Sequence, residues 1–186
     1  VSTGSSFNEL EEGEKPELDE NGEPIDIVKR ERGTAERLIE QFMLCANEAI
    51  ATWLTERGCP CVYRIHELPD REKVADFIKF AHNLKLNPEY VKKESVTPKY
   101  FGRILDKARK NGIGYPVSYM LLRTMQKAKY SERKSMHFGL ASECYCHFTS
   151  PIRRYPDLSV HRILSYMLSS ESADATSKRY ASFASR

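Results

Sequence analysis

His147-Phe-Thr-Ser-Pro-Ile-Arg-Arg-Tyr-Pro-Asp-Leu-Ser-Val-His161-Arg162 is the densest run of chemistry-bearing side chains in a chain of 186 residues. Ser150 is a good helix cap and Pro151 suits the first helical position, so the run predicts a helix over 151–168. A helix starting there offers free backbone N–H groups and its positive dipole end beside Arg153 and Arg154, whose planar guanidinium groups match phosphate. Arg153, Asp157 and His161 then recur at four-residue steps on one face, where Asp157 can orient either neighbour. The competing reading is a solvated ladder of ion pairs on a capped helix, which is common and nearly neutral in energy.

Upstream, the chain reads as helices separated by short strands. Residues 34–56 carry Leu38, Ile39, Phe42, Met43, Cys45, Ala46, Ala49, Ile50, Trp53 and Leu54 at helical spacing, closed by Gly58, and the wide apolar face they form is expected to lie in a core. Glu40 and Asn47, seven residues apart, stack at the border of that face, an unusual place for a carboxylate. Cys61-Val-Tyr-Arg-Ile65 reads as a strand and 70–84 as an amphipathic helix with Val74, Phe77, Ile78 and Ala81 inward. Thr97-Pro98 caps and opens a helix that ends at Asn111-Gly112, and another spans 115–127. Residues 136–140 and 144–148 read as extended.

At the front, Glu17-Leu18-Asp19 and Ile25-Asp26-Ile27-Val28 flank Asn21-Gly22, the pair suited to a type I′ hairpin turn. A hairpin alone is marginal in water, so this one is expected to join a larger, barrel-like sheet. At the back, 169–177 is small, polar and aperiodic, and predicts a linker. The fold class is thus α+β, mostly helical with short strands and an N-terminal hairpin. Residues 1–168 form one unit, and 169–186 are a linker with the start of a truncated downstream region.

Composition narrows the function classes. With 40% hydrophobic, 30% charged and 10% aromatic residues, the chain is neither collagen-like, coiled-coil nor wholly disordered. No apolar run is long enough to cross a bilayer, so no membrane partner is expected. Val1-Ser-Thr-Gly-Ser-Ser6 lacks the basic and apolar parts of a signal peptide, and the cytoplasm is the expected compartment. The net charge of +3 conceals an acidic front: residues 1–28 hold nine acids and one base, leaving +11 on the remainder. Such a surplus suits a polyanion.

Five cysteines, Cys45, Cys59, Cys61, Cys144 and Cys146, are an odd set that does not make a disulfide framework. The one-residue gaps in Cys59-Pro-Cys61 and Cys144-Tyr-Cys146 are short for a structural zinc site, so small buried hydrophobes are the first reading and a zinc-stabilised interaction protein the alternative. His66, His82 and His147 read as hydrogen-bonded structural residues, whereas His161 shares the face of Arg153.

From Met136 to Arg162 the sequence resembles the signature of the RNB catalytic domain of the ribonuclease II and ribonuclease R family. The matching positions are His137-Phe-Gly-Leu140, Tyr145, Phe148-Thr-Ser-Pro-Ile-Arg-Arg-Tyr155, Asp157 and His161. Cys146 departs from the small residue more usual there and is expected only to alter packing. Arg37-Leu-Ile-Glu-Gln-Phe-Met-Leu-Cys-Ala-Asn-Glu48 and Tyr63-Arg-Ile-His-Glu67 resemble two further stretches of the family. The Arg-Arg-Tyr form and the hairpin before Glu31-Arg32-Gly33 are closest to the ribonuclease R branch. The likeness covers roughly residues 7 to 168.

The resemblance implies a processive 3′-to-5′ exoribonuclease that hydrolyses single-stranded RNA to nucleoside 5′-monophosphates with magnesium. It assigns Arg153 as the catalytic arginine at the phosphate near the scissile bond. Glu40 contacts ribose, with Arg154 as a further RNA-binding residue and Asp157, His161 and Asn47 in support. These roles suit the chemistry: a guanidinium stabilises charge on a transferring phosphoryl group, and a carboxylate accepts the 2′-hydroxyl that separates RNA from DNA. In the family the magnesium sits on clustered aspartates near the start of the catalytic domain, whereas this chain has no Asp-Asp and no Asp-x-Asp. The expectation is therefore a C-terminal part of the catalytic domain that carries no metal ligands and does not cut RNA alone. The alternative is a non-catalytic RNA-binding module. The parent is expected to be monomeric, whereas sheet edges left open in the isolated piece favour self-association.

Overall fold

The computed structural model describes residues 14–29, 33–88, 96–170 and 173–180. Residues 1–13, Glu31-Arg32 and residues 181–186 lie outside them. The chain order is β1 (Glu14–Leu18), β2 (Pro24–Lys29), α1 (Thr34–Glu56), β3 (Tyr63–Ile65), α2 (Arg71–Asn83), α3 (Pro98–Lys110), α4 (Gly114–Thr124), β4 (Lys129–Ser131), α5 (Tyr155–Ser170) and α6 (Ala173–Tyr180). The mostly helical α+β expectation holds.

β1 and β2 pair antiparallel from Glu14 opposite Lys29 to Leu18 opposite Pro24, with an irregularity at Glu17/Leu18. Their connection is a five-residue loop and not the two-residue type I′ turn, which needs positive φ at both central positions. Gly22 has φ +87° and Asn21 does not share it. The loop is closed by the Asp19 carboxylate, which accepts the N–H groups of Asn21 and Glu23 at 2.8 Å each. Among the described residues this hairpin is a two-stranded sheet of its own.

Two packed clusters hold the rest. In the first, α2, α3 and α4 bury Phe77, Phe101, Ile104, Val117 and Leu121 around Phe138. Local signals set these helices: the Asp70 carboxylate accepts the Glu72 N–H at 2.8 Å, and the Thr97 hydroxyl accepts the Tyr100 N–H at 3.3 Å ahead of Pro98. In the second cluster, the C-terminal half of α1 packs Ala51 and Leu54 against Cys61, Ile65, Cys146 and, from α5, Val160 and Ile163. Gly58, at φ +63°, lets the chain leave α1 toward β3.

Three expectations are corrected. Leu38, Ile39, Phe42 and Met43, on the N-terminal half of α1, are exposed, because no described element packs over them. Residues 136–148 form isolated bridges around a single 3₁₀ turn at Phe138–Leu140 instead of two extended runs, and β4 supplies the partner of β3. The described part of the expected linker 169–177 is helical: α5 continues to Ser170, and α6 docks with Thr176 buried and the Ser177 hydroxyl donating to the Gly58 carbonyl at 3.0 Å. Tertiary contact overrides the weak propensity of a small, polar stretch.

Candidate nucleic-acid interface

The segment 147–154 is not the start of a helix. Residues 151–153 form a separate turn, in which the N–H groups of Arg153 and Arg154 donate to the Ser150 carbonyl at 3.3 and 3.1 Å. α5 begins at Tyr155, with Leu158 N–H donating to the Arg154 carbonyl. Pro156 sits in the first helical turn, where a missing N–H costs nothing. The expected Ser150-Pro151 start is displaced because Asp157 captures the segment: its buried Oδ1 accepts the Ser150 N–H at 2.8 Å and the Arg154 Nη2 at 2.8 Å. Asp157 thereby fills the N-terminal end of α5 with its own charge. The four-residue ladder of Arg153, Asp157 and His161 is likewise corrected, since Arg153 lies outside the helix and the partner of Asp157 is Arg154.

Three side chains fix this loop from two helices. Asn47, buried on α1, accepts the Phe148 and Thr149 N–H groups through Oδ1 at 2.9 and 3.2 Å and donates through Nδ2 to the Tyr145 hydroxyl at 2.8 Å. His161 on α5 donates through Nε2 to the Phe148 carbonyl at 2.9 Å and stacks on the Phe148 ring, centroids 4.1 Å apart and planes within 7°. Asp157 holds Ser150. The loop is thus tied at 148, 149 and 150, and the following Arg153 is exposed. Glu40 lies half-buried two turns before Asn47 on α1.

Arg64, Tyr130 and His147 complete the surface, and the sequence reading gave none of them a binding role. Arg64 on β3 is paired with Tyr130 on β4, and its guanidinium lies 4.7 Å from the Tyr130 ring centre. Tyr130 shares a 2.8 Å hydrogen bond with His147 Nδ1. Burial first, then the charges of Arg154, Arg64 and Arg153, push His147 down to about 4, against an opposing pull from Asp157. His137 is pushed to about 4 by burial, with His66 and Arg64 adding to it. Both imidazoles are therefore neutral at neutral pH, and the local charge is cationic. The one signal available was strand alternation, which puts Arg64 on the face opposite Tyr63 and Ile65.

Among the described residues, no three His, Cys, Asp or Glu side chains converge as ligands. Cys59, Cys61, Cys144 and Cys146 are buried in the second cluster, where the hydrogen bond with Cys146 and then burial raise the Cys61 thiol well above its usual range. They pack as small apolar groups. What the arrangement can do is hold an anion: a preset loop presents one free guanidinium, with two more cations close by and aromatic rings beside it.

The RNB domain matches residues 2–170. The chain is 45% identical over 157 residues to ribonuclease R of Aquifex aeolicus, covering 84% of this chain and 22% of that protein. It is 48% identical over 147 residues to ribonuclease R 1 of Lactococcus lactis, covering 79% and 18%. Among solved structures, Mycoplasma genitalium RNase R in complex with ribose methylated single-stranded RNA is similar with a TM-score of 0.74 at 35% identity, over 83% of this chain and 24% of that one. The chain spans about a fifth of the length of these curated relatives. By the extent of the match and the identities along it, the chain belongs to the RNB-domain family, in its ribonuclease R branch.

Proposed function

We propose that this chain is the part of a 3′-to-5′ exoribonuclease that grips single-stranded RNA beside the bond to be cut. The observation that carries the reading is the exposed Arg153 guanidinium on a loop tied down by Asn47, Asp157 and His161. Hydrolysis that releases nucleoside 5′-monophosphates places added charge on the phosphoryl oxygens, and a preset guanidinium stabilises it without reorganising. Glu40 accepts the ribose 2′-hydroxyl. Arg154 acts through Asp157 and the loop, so its contribution to RNA binding is largely positional. Magnesium belongs to the parent enzyme on carboxylates outside the described residues, and the chain by itself binds RNA without cutting it. The parent works in the cytoplasm.

A binding-only module is the second reading, favoured by the absence of a converging ligand set among the described residues. One measurement tests the grip that both readings share, and a second separates them. Binding of labelled single-stranded RNA should weaken with salt, and Arg153→Ala should reduce the salt slope by about one. Release of nucleotides from 3′-labelled RNA with magnesium should occur only when the upstream segment of the catalytic domain is restored. Binding without cleavage in both forms would leave the module; cleavage by the chain alone would overturn the assignment of the metal ligands outside it.

A further inference from the structure

The first helical cluster carries a surface that the loop around Arg153 does not use. On α4, Tyr115, Tyr119 and Leu122 are 84%, 56% and 53% exposed, while Val117 and Leu121 on the other side are fully buried against α2 and α3. Spacings of four and three residues put the exposed three in one stripe. The stripe stands on a rigid helix, held by a packed core.

The chain from α3 to β4 is mostly cationic. Residues 97–130 hold eight Lys and Arg against one acid, Asp106. Part of that charge is engaged: Lys107 donates to the Leu86 carbonyl at 2.6 Å and Lys129 pairs with Glu67 at 2.7 Å. Lys110, Arg123 and Lys127 are exposed. Lys110 closes α3 just before the turn into α4. Arg123 lies 6.0 Å from the Tyr119 ring centre, and Lys127 sits just past the end of α4. Aromatic faces interleaved with cations along a line of about 15 Å are what an unpaired nucleic-acid strand requires: rings for its bases and charge for its backbone.

We propose that Tyr115 and Tyr119, flanked by Lys110, Arg123 and Lys127, form a second contact for single-stranded RNA on α4, apart from the Arg153 loop. The inference rests on the reading that the chain handles RNA, and it adds a separate place where bases stack. Stacking requires bases free of a duplex, so the contact discriminates by strandedness, whereas phosphate contacts alone would not.

The test is fluorescence anisotropy of the intact chain with labelled oligoadenylate and, separately, a blunt RNA duplex. Tyr115→Ala with Tyr119→Ala should weaken oligoadenylate binding about tenfold or more, and leave duplex binding unchanged. Tyr115→Phe with Tyr119→Phe keeps the rings and should keep the affinity. These side chains are exposed, so far-UV circular dichroism should be the same in all variants. RNA carrying 4-thiouridine should crosslink to the tryptic peptide 111–123. A wild-type chain that binds while the Ala pair binds equally well would overturn the proposal and leave the stripe to a protein partner. An equal loss on the duplex would overturn the stacking. A wild-type chain that binds no RNA would overturn the functional reading itself, and this contact with it.

Discussion

Asn47 on α1 accepts the backbone N–H of Phe148 at 2.9 Å, across 101 residues of chain. The same oxygen takes the Thr149 N–H, and the same side chain donates to Tyr145. One buried amide thus sets the entry to the loop that ends in Arg153. Asn47→Ala leaves two backbone donors and a tyrosine hydroxyl unpaired, which is expected to lower stability by about 2–3 kcal/mol. RNA affinity should fall beyond the effect of Arg153→Ala alone, because the turn loses its anchor. Asn47→Asp keeps the acceptor and should retain most of both. Urea unfolding together with RNA titration of the three variants checks this.

Arg154 and Asp157 form a pair whose carboxylate is wholly buried, with Arg154 Nε and Asp157 Oδ2 lacking partners among the described residues. Removing one charge strands the other. Arg154→Met should therefore cost about 3 kcal/mol. Adding Asp157→Asn removes the stranded charge while an amide oxygen still receives the Ser150 N–H, so the double variant should be more stable than Arg154→Met. A double-mutant cycle by urea unfolding measures the coupling. Equal or greater loss in the double variant would mean that the pair does not act as a unit.

What the sequence made legible was local. Thr97 announced α3 because a cap acts within three residues, apolar spacing announced α2, and helical spacing put Glu40 and Asn47 on one face of α1. The start of α5 was misplaced because its determinant, the hydrogen bond from Ser150 to Asp157, lies seven residues past the apparent cap and competes with it. The cationic surface was only half visible: Arg153 and Arg154 stand in the motif, but Arg64 joins them through the β3–β4 pairing, which no local pattern encodes. The apolar N-terminal half of α1 shows the reverse limit, since periodicity says which face is apolar and not what covers it.

Gly139 donates its N–H to His66 Nδ1 at 3.0 Å, and a Cβ built on it would sit 2.8 Å from that nitrogen. His66 is buried between the 3₁₀ turn and the His137 and Phe138 rings, so it has little room to retreat. Gly139→Ala is expected to cost about 1–3 kcal/mol through overpacking and loss of this bond. The denaturation midpoint should drop accordingly. Gly22→Ala does not test the same thing: there the strain comes from a positive φ in an exposed loop.

His137 and His147, with folded values of about 4 against an ordinary 6.5, link stability to pH. Their folded values are depressed, so between 6.5 and about 4 the unfolded chain binds protons that the folded chain refuses. Their contribution is complete above 6.5 and declines as pH falls through that window. His66, also lowered by burial, works in the same direction. The charges facing His147 are Arg64, Arg153, Arg154 and Asp157, and three of the four oppose its protonation. His147→Gln should therefore reduce the proton uptake on unfolding between pH 4 and 6.5 by up to one proton, read as a shallower dependence of the unfolding free energy on pH. Arg64→Gln should act less strongly in the same sense, by letting the folded imidazoles accept protons at higher pH. An unchanged slope in His147→Gln would show that its imidazole is not held neutral by its surroundings.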